Sequence, residues 1–254
     1  MKPHIVDLNM LVIQETQDIF TSSGLMRTYI YRPEALGQFP SIIFYSEIFQ
    51  QTAPIARAAN ILASHGFVVL VPEVFHELNP LGTVLPYDES GKDKGNADKF
   101  TKSLEQHDSD TQALVGFARQ QGYCSGKVGS MGVCIGGHLA YRAALNPAIL
   151  GAFCLYPTDI HSNTLPCAYG NDSLSRCGDI QGELVLVFGK QDPHVSAEGR
   201  VLIHQRLIAL NCHFTWLEVN AQHAFMRDEG ERYDAALALQ MYLQAVSFFQ
   251  RVLR

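Results

Sequence analysis

The sequence predicts an α/β fold with a mostly parallel central sheet and helices on both faces. Three observations carry this. Short, nearly unbroken apolar runs recur along the chain. Longer segments of helical character separate them. Polar motifs gather just after the apolar runs end. An almost continuous apolar strand is buried on both faces, as strands of parallel sheets are. Strands that alternate with helices imply parallel strands joined by helical crossovers.

Taken in order, Leu11 to Arg32 alternates apolar and polar residues around Ser22-Ser23-Gly24, the pattern of an antiparallel hairpin at a sheet edge. Buried strands follow at Ser41–Tyr45, Phe67–Val71, Val128–Met131, Gly151–Tyr156, Leu184–Phe188 and Phe214–Val219. Helices are expected over Ala53–His65, Ala97–Gln121, Gly137–Leu145, Ala197–Leu210 and Glu231–Val252. The apolar and aromatic stripe from Tyr233 to Phe249 suits packing onto the sheet. The exception is a stretch at about 75–99, with Pro80, Gly82, Pro86, Gly91 and Gly95. An irregular excursion of that length inside a compact domain reads as a lid or insert loop. No linker divides the chain, so residues 1–254 are expected to form a single domain.

Composition narrows the function. The 254 residues suffice for a large core, and 47% apolar against 17% charged content is that of a globular protein. A formal net charge of -6 without a basic stripe argues against nucleic acid or a membrane surface as partner. The N-terminal Met1-Lys2-Pro3-His4 begins no secretory leader pattern, and no apolar run is long enough to span a bilayer. The six cysteines, at 124, 134, 154, 167, 177 and 212, form no C-x-x-C pair. Reduced thiols and a cytoplasmic location are therefore expected, although Cys167 and Cys177 are close enough in sequence to pair.

The central motif is Gly132-Val133-Cys134-Ile135-Gly136-Gly137. It lies between an apolar strand and a helix, the setting of the G-x-S-x-G nucleophile elbow, here with cysteine at the centre. A nucleophile at such a sharp turn needs small residues two positions to either side, so that the backbone can pass closely. The helix N-terminus then aims its free N–H groups and positive dipole end at the sulfur. The competing reading is a buried, inert cysteine in a glycine-rich turn.

An acid and a base follow the nucleophile in the order such sites use. Asp192 comes just after the Leu184–Phe188 strand, and His223 lies in the loop after Phe214–Val219. Strand ends are where open α/β sheets place their functional loops. His194 is the rival base, but acid and base must come from different strand ends to converge. Cys134 is then the nucleophile, His223 the proton carrier, and Asp192 the group that orients and charges the imidazole. The backbone N–H of Ile135 and that of Ile48, in the loop after the Ser41–Tyr45 strand, are the expected oxyanion donors.

Glu47-Ile48-Phe49, the Cys134 elbow, Gly189-x-x-Asp192 and His223-x-Phe225-x-Arg227 together resemble the dienelactone hydrolase, or carboxymethylenebutenolidase, family. The resemblance runs from about Phe39 to the C-terminal helix and implies the α/β-hydrolase fold. It implies cleavage of an ester or lactone in a small-molecule substrate. It gives Glu47 a role near the nucleophile: its carboxylate helps control the protonation of the thiol and is displaced when substrate binds. It gives Arg227 the carboxylate of an anionic substrate, which a guanidinium fork fits. One feature departs from the pattern. The family draws a second pocket arginine from the region after the second core strand, yet Phe75 to Asp110 contains none and offers Lys92, Lys94, Lys99 and Lys102 instead.

Two other functions remain open at this point. One is a carboxylesterase or thioesterase with a different small acyl substrate. The other is a non-catalytic, redox-sensing or ligand-binding α/β protein in which Cys134 is the sensor. No cofactor or metal is expected: His76-Glu77 lacks the second histidine of a zincin, and neither G-x-G-x-x-G nor a P-loop occurs.

Overall fold

The computed structural model describes residues 11–162, 164–165 and 172–254. Its organising element is an eight-stranded sheet of order β1-β2-β4-β3-β5-β6-β7-β8. The strands are β1 (Val12–Thr21), β2 (Gly24–Pro33), β3 (Phe39–Tyr45), β4 (Val68–Pro72), β5 (Cys124–Val133), β6 (Ile149–Leu155), β7 (Glu183–Gly189) and β8 (Phe214–Val219). From β4 through β3 to β8, neighbouring strands run parallel. The β1–β2 hairpin is the antiparallel edge expected from its alternating pattern, with β2 paired antiparallel to β4.

Successive side chains on a strand point to opposite faces. Ile43 and Tyr45 therefore join one core with Val68 and Leu70, while Ile42 and Phe44 join the other with Val69 and Val71. The first core is covered by α3 (Leu104–Gln120), α4 (Ile135–Ala143) and α5 (Ala197–Ala209), the second by α1 (Ala53–Ala63) and α6 (Ala235–Val252). The continuous apolar runs in the sequence thus reflect burial on both sides.

The main departure from expectation lies between residues 75 and 121. The single helix expected over Ala97–Gln121 is two: α2 (Glu89–Thr101) and α3. Extended backbone at Lys102 breaks them, and Ser103 restarts the chain with a capping box to Gln106. Much of the expected excursion is therefore helical. Two other helices differ at their starts, α4 beginning at Ile135 and α6 at Ala235, while α1 and α5 begin at Ala53 and Ala197 as expected. Cys177 and Cys212 are free thiols, and Cys167 lies outside the described residues. Among the described residues no helix is long and apolar enough to cross a membrane.

The break at Lys102 is functional for stability. Its ammonium, fully buried, donates to the Val74 carbonyl at 2.6 Å, to Glu77 Oε2 at 2.9 Å and to Asp110. His76 Nε2 lies 3.1 Å from Asp110 Oδ1 in the same cluster. His76, Glu77 and Asp110 have metal-ligand spacing, but an internal cation already balances their carboxylates. Removing that cation leaves Glu77 and Asp110 without the lysine's counter-charge, which costs about 3–5 kcal/mol in comparable pairs. Lys102→Met should lower the urea midpoint accordingly, and an unchanged midpoint would show that the acids find water or protons instead.

Candidate active site

Backbone strain marks the site first. Cys134 caps α4 with φ 60 and ψ -128, a left-handed conformation that a side-chain-bearing residue rarely adopts. The neighbouring glycines make it achievable. A β-carbon on Gly132 would lie 1.9 Å from the Gly136 carbonyl oxygen, and one on Gly136 would lie 2.2 Å from that of Tyr45. Any larger residue at either position would force strand and helix apart. The tight turn leaves the sulfur at the C-terminal edge of the sheet, partly exposed, at the N-terminus of α4.

The next two strands deliver Asp192 and His223 to the same edge. Their loops are tied together by Lys190 N–H to the Val219 carbonyl at 2.8 Å and Gln191 N–H to the Ala221 carbonyl at 3.0 Å. Asp192, 5% exposed, uses both oxygens. Oδ1 accepts the His194 backbone N–H at 2.8 Å, and Oδ2 lies 2.6 Å from His223 Nδ1. The Cys134 sulfur stands close enough to the His223 ring to act on its charge. Burial alone would push the imidazole down, but the Cys134 sulfur and Asp192 together hold it up at about 10. The Tyr156 ring, 5.1 Å away and edge-on, closes the far side of the imidazole. The rival histidine, His194, reaches Asp192 only through its backbone; its ring sits edge-on to His223 at 4.5 Å.

These groups open into a cavity of about 540 Å³. Glu47, Ile48 and Arg227 line it beside Cys134 and His223. Among the described residues the Ile48 N–H has no hydrogen-bond partner. Ile135 begins α4, where the N–H groups of the first turn have no partner within the helix. Glu47 is buried and makes no hydrogen bond to Cys134 among the described residues. Its Oε1 accepts from Tyr87 Oη at 2.5 Å and its Oε2 lies 3.7 Å from Arg227 Nη1. Burial raises its proton affinity, against the pull of Arg227 and the Tyr87 bond. The Arg227 guanidinium lies 4.4 Å above the Tyr87 ring and 5.9 Å from that of Phe49.

Of the four lysines offered in place of a second arginine, Lys92 and Lys99 line the cavity. Lys94 turns to Asp98, and Lys102 belongs to the buried cluster. Lys99 pairs with Asp159 at 3.2 Å on a wall that also carries His194. Tyr87 and Asp159 are cavity residues that the sequence did not single out, and His194, the rival base, lines the same cavity. Asp192, His194 and His223 also have metal-ligand spacing, and in this structure Asp192 Oδ2 and His223 Nδ1 face each other at 2.6 Å.

A sharply turned nucleophile-type residue, a histidine and an aspartate at the carboxyl edge of this sheet define an α/β-hydrolase. The sequence profile described as the Dienelactone hydrolase family matches residues 26–253, and the chain belongs to that family. A Saccharomyces cerevisiae protein provisionally named a carboxymethylenebutenolidase is 42% identical over 241 residues, spanning 90% of this chain and 88% of the yeast protein. The carboxymethylenebutenolidase of Pseudomonas putida is 28% identical over 203 residues, 78% of this chain and 80% of its own. A provisionally named dienelactone hydrolase from Klebsiella pneumoniae superposes with a TM-score of 0.83 at 19% identity, covering 95% of this chain and 99% of that one. The chain is a carboxylic ester hydrolase acting on a small-molecule ester or lactone.

The raised His223 gives a pH prediction. The unfolded imidazole titrates at 6.5 and the folded one is raised to about 10. A raised folded value means that the charged ring adds stability in full below pH 6.5 and loses it as pH climbs towards about 10. The difference in thermal stability between wild type and His223→Gln should therefore shift steadily against the wild type across that window. A difference that stays flat would mean that the resting imidazole is neutral.

Proposed function

We propose that the chain hydrolyses an ester or lactone bond through Cys134, His223 and Asp192. The observation that carries this reading is the single imidazole held between a buried carboxylate at 2.6 Å and the elbow sulfur, at one side of the cavity. The Cys134 sulfur adds to the carbonyl carbon, and the electron pair of the C=O bond moves to oxygen. The N–H groups of Ile48 and Ile135 receive that oxyanion. Collapse of the tetrahedral intermediate expels the alcohol or enol oxygen, which takes its proton from His223, and leaves a thioester on Cys134. Water, deprotonated by His223, then cleaves the thioester and restores the enzyme. Asp192 fixes the imidazole by its Nδ1 and favours the charged form in both steps.

Glu47 controls the nucleophile from the side. Held by Tyr87 and facing Arg227, it occupies the position of a carboxylate turned away from the thiol. Arg227 binds an anionic substituent of the substrate. The support for this is that its guanidinium is placed by ring stacking rather than by hydrogen bonds: among the described residues none of its donors is committed, and Nε is buried without a partner. An incoming carboxylate can take two of those donors together. The free thiols among the described cysteines suit a cytoplasmic enzyme of small-molecule metabolism.

Cys134→Ala should abolish turnover of an activated aryl ester by at least about a thousandfold while leaving far-UV circular dichroism and melting temperature near wild type. Retained hydrolysis would remove Cys134 from the nucleophile's place. In a lactone panel, Arg227→Ala should raise KM for a carboxylated lactone by about tenfold to a hundredfold and hardly affect its uncharged analogue. Equal losses on both would show that Arg227 does not read the substrate's charge.

A further inference from the structure

We infer that α2 fixes the Ile48 peptide in place, and that Gly95 is the positioning residue through which it does so. The inference rests on the reading above, in which the Ile48 N–H receives the oxyanion.

The face that α2 buries is Gly91, Gly95 and Asp98, spaced i, i+4, i+7. Its sequence, from Glu89-Ser90-Gly91 to Lys99-Phe100-Thr101, has no apolar stripe to dock with. A helix seated on apolar side chains stands off from its neighbour by the length of those side chains. A helix seated on glycine brings backbone against backbone. That happens here at the residue that matters for the oxyanion: a β-carbon on Gly95 would lie 2.7 Å from the Ile48 carbonyl oxygen, 2.8 Å from Ile48 Cβ and 3.2 Å from the Ile48 carbonyl carbon. The contact is with backbone, so no side-chain rotation can relieve it.

Other contacts from the same excursion hold the same loop. Leu85 N–H donates to the Phe49 carbonyl at 3.1 Å, and Phe75 N–H to Gln50 Oε1 at 3.4 Å. Tyr87 Oη is 2.7 Å from Thr52 Oγ1, and the Tyr87 ring packs edge-on to Phe49 at 4.7 Å. Gln50 turns the chain with φ 69. The helix is itself anchored: Asp88 caps its first turn through Gly91 N–H at 2.9 Å, and Asn79 donates to Asp98 Oδ2 at 2.9 Å. The Ile48 N–H makes no hydrogen bond of its own among the described residues, so the packing around the residue is what determines where it points. The excursion is in this view a fixed clamp on the oxyanion loop.

Gly95→Ala tests the claim sharply, because alanine is the better helix former and the helix alone would welcome it. A donor displaced by a fraction of an ångström from the oxyanion loses much of its effect. With p-nitrophenyl butyrate, Gly95→Ala should lower kcat by about 10-fold to 100-fold with KM within about twofold. Butanal, whose adduct with the Cys134 sulfur places an oxygen at the oxyanion position, should bind more weakly by a similar factor. Alkylation of Cys134 by iodoacetamide, which needs no oxyanion donor, should proceed at the wild-type rate. Asp98→Ala, which loosens the far end of α2 without adding atoms, should give a smaller loss of the same kind and serves where Gly95→Ala does not fold. Wild-type kcat in the folded variant overturns the inference, as does an alkylation rate that falls along with hydrolysis, since the whole site would then be disturbed. Wild type and Cys134→Ala run in the same assay separate the two levels. If wild type is inactive or Cys134→Ala active, the proposed function falls and the inference with it; if both behave as expected, an unaffected Gly95→Ala removes the positioning role alone.

Discussion

Everything at this site depends on one backbone constraint: a non-glycine residue held at φ 60 between a strand and a helix. The conformation is costly for cysteine, on the order of 1–3 kcal/mol, and persists only because the surroundings leave no alternative. Gly132, Gly136 and the β3 carbonyl at Tyr45 supply that compulsion by packing backbone directly on backbone. Once the turn is fixed, the rest follows from topology. Parallel strands end on the same edge of the sheet, so the loops after β7 and β8 arrive where Cys134 already stands, and Asp192 and His223 need only short loops to meet it. Two hydrogen bonds between those loops then hold Asp192 and His223 in register.

What could be read from the sequence was what local pattern encodes. The strands buried on both faces showed as apolar runs, the edge hairpin as an alternation, and the elbow as glycines at fixed spacing around Cys134. The region from residue 75 to residue 121 resisted because its determinants are not local. The docked face of α2 is Gly91, Gly95 and Asp98, which no search for apolar periodicity finds. A glycine reads as a breaker in sequence, while here it permits a close approach that only the folded neighbour reveals. The partnership of Tyr87 with Glu47 spans 40 positions of sequence, and nothing near either residue announces it. The same holds for Lys99, distinguished from Lys94 only by which side of the helix meets the cavity.

The electrostatics of the cavity are more balanced than the chain's charge of -6 suggests. Lys92 faces Glu89 at 2.9 Å, Lys99 faces Asp159 at 3.2 Å, and Arg227 faces Glu47 at 3.7 Å. An anionic substrate therefore meets neither a repulsive wall nor a free field of positive charge. The pairs differ in kind. Those of the lysines are hydrogen-bonded, whereas Arg227 and Glu47 stand beyond hydrogen-bond range, with the guanidinium resting on Tyr87. Since charge-assisted hydrogen bonds are much stronger than unbonded proximity, Arg227 has more to gain from a ligand than either lysine, and Arg232, which also lines the cavity, forms no ion pair among the described residues. Shape and donor geometry, more than net charge, then decide where a carboxylate binds.

The same reasoning separates hydrolysis from redox sensing, which share a reactive sulfur. A sensor needs an exposed thiol kept near a positive charge and little else. The fold goes further. It buries a carboxylate to hold one ring nitrogen, ties two loops together to keep it there, and puts Ile48, whose N–H is unbonded among the described residues, on the wall of the cavity that Cys134 lines. A buried carboxylate and an unpaired backbone donor each cost stability in a resting protein. The proposed mechanism uses both: a proton is relayed through the ring, and an oxygen beside the sulfur turns negative. Oxidation of a thiol requires neither event, whereas opening an ester or lactone requires both.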